Sequence, residues 1–489
     1  MSLRWHELLT GPGKAWRNLF ALSLLLTAVP DIASGGDVFN TRSQVSAGPA
    51  TPILPDADNP CRQAPLPSPL PLFAAVERSL CESPKTHAAW ASVKEAAAGI
   101  GESKAQYLPT LDGSVDYDAS WQDTNVTGHE ELRSHYAQAV NSESLSLGWL
   151  LYDFGAREAT LRGSRFLTMA AQANQSLVLQ GVFANTAKDY YTAQAAQAAV
   201  QAAISIESDA QQTLDAATAR YKTGVAPITD QLLANTVFAQ STFLRTKAEG
   251  AWRTALGTLA SDMSLSVEAP LQLPPLDQSV LPDTHFVHVI HDLIDEALQS
   301  HPSIAVARAQ SQAAQEDVRV ARAQGLPKFS LAGVASRSDQ PQSANLGEPE
   351  YPAVERQASI GLSVQIPLFE GFSREYKIRQ AKARAENSAE ALRDAQQQVS
   401  VGVWTSFQAL QTATENLHNT DVILQSAHDT FNAYQHRYQS GLSGIVDLLN
   451  SQTTLAAAEL QQIQAQLDWR TARIELAQNL GQLGIWAVQ

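Results

Sequence analysis

Two long stretches of the chain carry apolar residues at a period of seven and contain no proline. The second, Ser373 to Tyr438, alternates large and small residues at its two seam positions, as knobs-into-holes packing requires. The large residues are Val403, Leu410, Leu417, Leu424, Phe431 and Tyr438, and small ones lie between them at Ser406, Ala413, Thr420 and Ala427. The first, Ala156 to Tyr221, repeats alanine at the same spacing. Each stretch predicts a helical rod about 100 Å long, with partner helices to bury its seam.

Four shorter runs alternate apolar and polar residues, the pattern of a β-strand with two unlike faces. Three are regular, Leu111 to Gln122, Leu145 to Leu151 and Ala358 to Ile366, whereas the third in chain order, from Phe329, is poorly patterned. Two surroundings produce this alternation. One is a half-buried sheet on a soluble core, and the other is a barrel wall with lipid outside and water inside.

The barrel wall is favoured because the long helices use their apolar stripes on one another and leave none to cover a sheet. Trp121 and Trp149 also lie near strand ends, where interfacial aromatic residues belong. Four strands cannot close a barrel, since the smallest bacterial barrels have about eight. Unpaired strand edges in lipid cost several kcal/mol per group. Three copies would supply twelve strands, although the counting alone leaves a tetramer open.

The chain is a tandem duplication, because matching segments recur in register. Ala105 to Pro109 matches Ala323 to Pro327, an offset of 218 in the numbering. Three further matches recur at an offset of 217: Leu151-Tyr152-Asp153 with Leu368-Phe369-Glu370, Arg220-Tyr221-Lys222-Thr223-Gly224 with Arg437-Tyr438-Gln439-Ser440-Gly441, and Asp230 with Asp447.

Each copy predicts the same order of elements. A shorter helix (84–104; 302–324) precedes two strands and a rod, and a glycine turn leads to a returning helix (228 to about 261; 445 to about 480). We divide the chain into a signal peptide (1–35), a Pro-rich extended segment (36–71), a first repeat (72–270) and a second repeat (271–489). The signal peptide rests on the apolar run Leu19 to Val29 behind basic residues. The Pro-rich segment is expected either to lie over the repeats as a strap or, in its first half, to be a disordered tail.

Composition excludes several classes of protein. The net charge of −15 argues against a nucleic-acid partner, which needs clustered Lys and Arg. Cys61 and Cys81 predict a disulfide in an exported chain, with two free thiols as the alternative. No metal or cofactor is predicted, because His285, His288 and His291 lack acidic or cysteine partners at ligand spacing. No nucleophile elbow, His-Glu-x-x-His motif or dinucleotide fingerprint occurs, so no enzyme is predicted.

The turns Arg220-Tyr221-x-x-Gly224 with Asp230 and Arg437-Tyr438-x-x-Gly441 with Asp447 resemble those of the TolC-like outer-membrane efflux protein family. So do the strand-to-helix joints, Leu151 to Gly155 and Leu368 to Gly371, and the resemblance covers nearly everything after about residue 70. It implies an α+β membrane protein: a homotrimer whose 12-stranded β-barrel in outer-membrane lipid continues into an α-helical barrel in the periplasm of a Gram-negative bacterium.

The resemblance also implies the function. The chain would be a passive exit duct without catalytic activity, closed at its helical end until it meets a periplasmic adaptor and an inner-membrane ABC transporter or other pump. Within the family it looks more like the non-lipidated members that serve type I protein secretion, although the sequence leaves the cargo open between a protein and small molecules. Two other functions compete: a periplasmic coiled-coil adaptor, and a secreted soluble helical protein.

The same resemblance assigns the gate. Tyr438 matches a constriction tyrosine, and Asp447 matches a lumen-facing aspartate that would form an acidic ring of the kind that attracts cations. Asn450 replaces a second aspartate of some members. Asp230 matches the partner of a closing salt bridge, but Ser443 stands where the arginine is expected, so hydrogen bonds among Asp230, Tyr438 and Ser443 would close the pore instead. The alternative for both aspartates is N-terminal capping of the returning helices.

The adaptor is expected to meet the exposed residues of the two turns tip to tip. These are Gly224, Val225, Gly441 and Leu442. The alternative is that they are ordinary residues of a helix turn.

Overall fold

The computed structural model describes residues 36–54, 61, 65–130, 133–276, 290–340, 342–343 and 350–483. The predicted signal peptide lies outside the described residues, as do His285 and His288. None of the helices in the described ranges is long and apolar enough to cross a bilayer.

The predicted rods and returning helices are confirmed. The first rod, α3, spans Ala156–Lys222, and its returning helix α4 spans Ile228–Asp262. The second rod, α7, spans Ser373–Gln439, and α8 returns over Ile445–Asn479. The heptad seam of α7 is buried as expected at its large positions, except that Leu424 is only partly covered. Each rod packs along its own returning helix, and α3 also lies against α8.

A pair of shorter helices opens each repeat. In the first repeat they are α1, Leu72–Glu82, and α2, Pro84–Ala105; in the second they are α5, Ile290–Ser300, and α6, Pro302–Ala323. The residue before each proline caps the longer helix, since Ser83 Oγ accepts from the Lys85 N–H and His301 Nδ1 accepts from the Ser303 N–H. Helix α2 packs on α3, and α6 lies between the two rods.

Four antiparallel strands form one sheet in chain order. They are β1, Thr110–Thr124; β2, Ser134–Tyr152; β3, Lys328–Ser338; and β4, Glu355–Gln365. A two-residue ladder, Gln342–Ser343 with Glu350–Tyr351, lies between β3 and β4. The poorly patterned third strand is therefore formed, because its neighbours on both sides supply hydrogen-bond partners.

The two hairpins have the same register, which supports duplication at the level of single residues. Thr110 pairs with Gly148 in the first hairpin, and the corresponding positions Lys328 and Gln365 pair in the second. The outer edges of β1 and β4 have no strand partner among the described residues.

The apolar face of the sheet is exposed, which argues against a half-buried sheet on a soluble core. Trp121 on β1 is 75% exposed and Ile360 on β4 is 72% exposed. No helix of the described chain covers this face, because the rods begin where the strands end and lead away from them. An uncovered apolar surface of this extent marks a site of contact with lipid or protein.

The Pro-rich segment is not uniformly extended, so that expectation is wrong in part. Residues Thr41–Gln44 form a 3₁₀ turn, and Ala50 accepts hydrogen bonds from the backbone N–H groups of Ile53 and Leu54. The fixed φ of proline suits turns as well as extended chain. Ala50 and Leu54 are buried against α1 and α3, and a disulfide joins Cys61 to Cys81 on α1. The described residues of the segment are thus anchored in the core.

Candidate functional site: the turn ends of the rods

Both rods end in the same backbone turn. The Val225 N–H donates to the carbonyl oxygen of Arg220 over 2.9 Å, and the Leu442 N–H donates to that of Arg437 over 2.8 Å. Each of these bonds is the long hydrogen bond of a Schellman cap. Gly224 and Gly441 have φ of 73° and 77°, a region in which a side chain is strained.

The four predicted adaptor-contact residues lie at these turns and are accessible. Val225 is 67% exposed and Leu442 is 71% exposed, and both glycines are exposed beside them. Large apolar side chains held at the tip of a turn are available to a partner. The turns therefore present two similar apolar points at the same end of the molecule.

Arg220 joins the two rod ends. Its guanidinium carbon lies 4.7 Å from the centroid of the Tyr438 ring, and its Nη1 donates a hydrogen bond to the Tyr438 carbonyl oxygen. The ring itself is buried. A cation over an aromatic face contributes about 0.5–2 kcal/mol, more where water is excluded. The contact fixes the last turn of α7 against the last turn of α3.

Charges of opposite sign act on the hydroxyl of Tyr438. Burial raises the pKa of the Tyr438 hydroxyl, the charge of Arg220 opposes that rise, and the charge of Asp230 adds to it. Asp230 is half-buried in the first turn of α4. The Tyr438 hydroxyl is thus influenced by a cation from one rod and by a carboxylate from the returning helix α4.

The predicted hydrogen bonds among Asp230, Tyr438 and Ser443 are not formed in the described chain. Tyr438 Oη and Ser443 Oγ are buried without a hydrogen-bond partner among the described residues. The physical reason is that Arg220 approaches the face of the ring and bonds the backbone, and leaves the hydroxyl free. A cation–π contact holds the tip in place of the expected hydrogen bonds.

The capping alternative for the two aspartates is wrong in its simple form. The N-cap positions are Pro227 and Gly444, and neither helix has a side-chain cap hydrogen bond. Asp230 and Asp447 occupy the third position of the first turn, where a negative charge still interacts favourably with the helix dipole. Asp447 and Asn450 are exposed and lie three residues apart, on one face of α8.

Arg220 has a role that sequence reasoning missed. The turn motif contains this residue, but the motif gives it no function of its own. The sequence signal for this role is the recurrence of the dipeptide Arg-Tyr at the end of both rods. Because the two rods have the same length and pattern, their ends lie side by side, and the arginine of one repeat can contact the tyrosine of the other. Among the described residues, no group of three or more His, Cys, Asp or Glu could hold a metal ion.

At the opposite end of each rod an arginine contacts the chain at the end of the preceding strand, and in the first repeat this arginine is buried. Arg157 forms a salt bridge with Asp153 over 3.1 Å and donates to the carbonyl oxygens of Leu150 and Leu151. In the second repeat Arg374 donates to the carbonyl oxygen of Pro367. These contacts join each rod to the strand before it, so the sheet and the helices form one continuous unit.

A four-stranded sheet with an exposed apolar face, continued by paired rods with apolar turns at the far end, defines a membrane channel with a long helical extension. The family model described as "Outer membrane efflux protein" matches residues 75–263 and 293–482, one match for each repeat. The chain belongs to the outer membrane efflux protein family.

Individual proteins of similar sequence or structure support this family assignment. CyaE of Bordetella pertussis is 29% identical over 475 residues, which are 95% of each chain. The pyoverdine export outer membrane protein OpmQ of Pseudomonas aeruginosa is 26% identical over 416 residues, 84% of this chain and 85% of OpmQ. The solved structure of the outer-membrane channel OprN has the same fold, with a TM-score of 0.72 at 20% identity, over 85% of this chain and 90% of OprN.

The family assignment defines the class of function. The chain is an outer-membrane exit duct of tripartite exporters, located in the Gram-negative outer membrane with its helical part in the periplasm. The family consists of channels and not of enzymes. The adaptor and soluble-protein alternatives are therefore set aside.

Proposed function

We propose that three copies of the chain form one passive duct, a 12-stranded barrel continuous with a helical barrel, gated at the turn ends of the rods. The observation that carries this proposal is the sheet. Its apolar face is exposed and its outer strands have open edges among the described residues. In lipid every backbone polar group needs a partner within the protein, so the edges must pair with other copies.

The proposed gate and the proposed partner contacts lie at the other end of the molecule, at the turn ends of the rods. Arg220 holds the buried ring of Tyr438, and the carboxylate of Asp447 lies on an exposed face of α8. Three copies of Asp447 would form an acidic ring at the closed end. Val225 and Leu442 would contact a periplasmic adaptor, and the adaptor would bring an inner-membrane ABC transporter or other pump into line with the duct.

The proposed cargo is a secreted protein. The support is the resemblance to the members that serve type I protein secretion, and the alkaline protease secretion protein AprF of Pseudomonas aeruginosa, a relative named for a protein cargo, is 23% identical over 386 residues, 76% of each chain. Deletion of the gene tests this choice. Loss of one protein from the culture medium would support it, whereas unchanged protein secretion with increased sensitivity to small compounds would replace it with efflux.

The internal duplication predicts how β4 pairs with β1 of the next copy. Within the chain, β2 of the first repeat pairs with β3 of the second, and Ser142 lies opposite Ser338. The corresponding positions in the next junction are Ser359 on β4 and Ser120 on β1, which both lie on the polar faces of their strands. The same register places apolar residues opposite apolar residues.

A cysteine pair tests this register and the assembly together. The double variant Ser120→Cys, Ser359→Cys is expected to give covalent dimers and trimers of the outer-membrane protein after mild oxidation. The matched control is Ser114→Cys with Ser359→Cys, on the same face but displaced by about 20 Å along β1. Absence of covalent oligomers from the first pair, or equal yields from both pairs, would contradict the proposal.

A further inference from the structure

A cavity lies where the first hairpin meets the first rod. It has a volume of about 350 Å³, within the range of sites that hold small ligands. The turn after α2, the end of β2 and the first turn of α3 form its wall, which includes Tyr107, Trp149, Tyr152, Asp153, Arg157 and Glu158. The proposed gate and adaptor contact lie at the opposite end of the rods, so neither of them accounts for this cavity.

A register shift turns the aromatic part of the wall toward the apolar face of the sheet. Trp149 on β2 pairs with Leu331 on β3. The next apolar pair is Tyr152 with Phe329, because the shift leaves one residue of β2 unpaired. A bulge of this kind redirects a side chain, and it places the ring centroids of Tyr152 and Phe329 6.3 Å apart. Trp149 and Tyr152 therefore lie on the same face, the one that the proposed barrel turns toward lipid.

The cavity lies at the level that lipid head groups would occupy. It is at the end of the strands from which the rods lead away, just beyond the last apolar pair of the sheet. Trp and Tyr side chains concentrate at such a boundary because their rings combine an apolar body with a polar group. The indole of Trp149 is held in place there, since its Nε1 donates to the carbonyl oxygen of Tyr107 over 2.9 Å.

The corresponding joint of the second repeat is filled by its arginine. At an offset of 218 Tyr107 corresponds to Gly325, and at an offset of 217 Arg157 corresponds to Arg374. A Cβ atom at Gly325 would overlap the Arg374 side chain. In the first repeat the guanidinium carbon of Arg157 lies 4.7 Å from the centroid of the Tyr107 ring instead. The Tyr107 ring thus keeps the arginine from closing the cavity, which is not a general consequence of the duplicated joint.

The charged groups of the wall favour a cationic head group. Arg157 is committed to the protein, because it pairs with Asp153 over 3.1 Å and donates to three backbone carbonyl oxygens. The described residues that line the cavity include no other cation. The side chain of Glu158 is 68% exposed, and within the described chain it pairs with Arg162 through Oε1 alone. Its second carboxylate oxygen, Oε2, is therefore available to a ligand.

We propose that the cavity binds one phospholipid with an ammonium head group, taken from the periplasmic leaflet of the outer membrane. The inference rests on the proposed barrel and adds a lipid site to it. The ammonium group would bind Glu158 Oε2 and lie against the aromatic rings, whose faces attract cations. The hydroxyl groups of Tyr107 and Tyr152 are donors for the phosphate, and the acyl chains would lie along the apolar face beyond Trp149.

Native mass spectrometry tests the site on full-length protein that is purified in detergent and freed of endogenous lipid. Phosphatidylethanolamine and phosphatidylglycerol with the same acyl chains are the probes, because they differ in the head group only. We expect up to one phosphatidylethanolamine per chain, bound in preference to phosphatidylglycerol. Equal binding of the two lipids, a preference for phosphatidylglycerol, or binding of neither would overturn the proposal.

Glu158→Gln separates the role of the carboxylate from general adhesion of lipid. It is expected to reduce the preference for phosphatidylethanolamine by roughly 2–5-fold, the effect of losing an exposed ion pair. The matched control is Glu375→Gln, because Glu375 is the counterpart of Glu158 at an offset of 217 and pairs with Arg379 in the same way. The control should keep the wild-type preference. An equal loss in both variants, or no loss in Glu158→Gln, would overturn the site.

Tyr107→Gly tests the shape of the cavity and changes no charge. It gives Arg157 the room that Arg374 has beside Gly325, so phosphatidylethanolamine binding is expected to be lost. Unchanged binding would overturn the proposal. The particle mass in the same spectra separates this inference from the proposed function. Three copies without the lipid preference contradict the lipid site alone, whereas another number of copies contradicts the proposed duct.

Discussion

The guanidinium carbon of Arg220 lies 4.7 Å from the ring centroid of Tyr438, so a residue of the first repeat holds the last turn of the second rod. The same arginine bonds the tyrosine backbone, which fixes both the ring and the main chain. Because the two residues lie on different rods, the contact must change if the rod ends separate. We therefore expect Arg220 to bias the tip toward its closed arrangement.

Replacing Arg220 tests this bias. Arg220→Ala removes a cation–π contact and a charged hydrogen bond, which together contribute about 1–3 kcal/mol. We expect an increase of roughly 5–150-fold in the ratio of open to closed states, measured as single-channel conductance in planar bilayers. Arg253→Ala, at an exposed site on α4, is the control. Unchanged closed-state conductance in Arg220→Ala would show that the contact does not hold the tip.

Asp447 is expected to control cation passage. Asp447→Ala should reduce selectivity for cations and weaken block by divalent or polyvalent cations, because the proposed acidic ring would be lost. Asn450→Asp should have the opposite effect, since it adds a carboxylate on the same face one turn away. Current–voltage curves in salt gradients measure both. Identical selectivity in the two variants would remove this face of α8 from the pore.

The exposed turns are expected to bind the adaptor. Leu442→Glu places a charge on an apolar tip without disturbing the left-handed glycine beside it, and it should abolish export while trimers still form. Val267→Glu is the control, because it places the same charge on an apolar residue that is 64% exposed but follows the far end of α4. Export and co-purification with the adaptor are the measurements. Normal export by Leu442→Glu would contradict a tip-to-tip contact.

A carboxyl pair where α4 ends predicts a pH dependence. Burial raises the pKa of Asp262 to about 7 from its ordinary value of 3.8, and the hydrogen bond and charge of Asp189 add to the rise. A raised pKa means that the folded chain holds the proton more tightly than the unfolded chain. The stabilisation is therefore complete below about pH 4 and is lost as the pH rises to about 7.

Asp262→Asn should remove this dependence. We expect a higher Tm than that of the wild type at pH 8 and no difference at pH 4, measured by differential scanning calorimetry in detergent. Asp215→Asn, on the same rod as Asp189, is the control. A wild-type Tm advantage at pH 8 would contradict the assignment.

Periodicity predicts the rods, the returning helices and the strands because each element is long enough to show its repeat several times. It does not predict helix α1, since 11 residues after a proline-rich segment give too few turns. The turns in the N-terminal segment could not be predicted, because proline is compatible with turns as well as with extended chain. The Arg220–Tyr438 contact joins residues 218 positions apart, and no local pattern reports how far a side chain reaches.

The gate illustrates the same limit. A resemblance places Asp230, Tyr438 and Ser443 near one another but cannot choose between a hydrogen-bonded latch and a cation–π latch. That choice depends on which face of the Tyr438 ring the neighbouring rod approaches, and only coordinates contain that information. The trimer, the pore-facing orientation of Asp447 and the adaptor contact stay predictions.

The number of chains in the detergent-solubilised particle tests the central claim most directly. Native mass spectrometry of protein extracted from outer membranes is predicted to give a mass of three chains, and no folded single chain without detergent. A monodisperse single chain that stays in solution without detergent, or a particle with any other number of copies, would contradict a duct whose wall is completed by three copies.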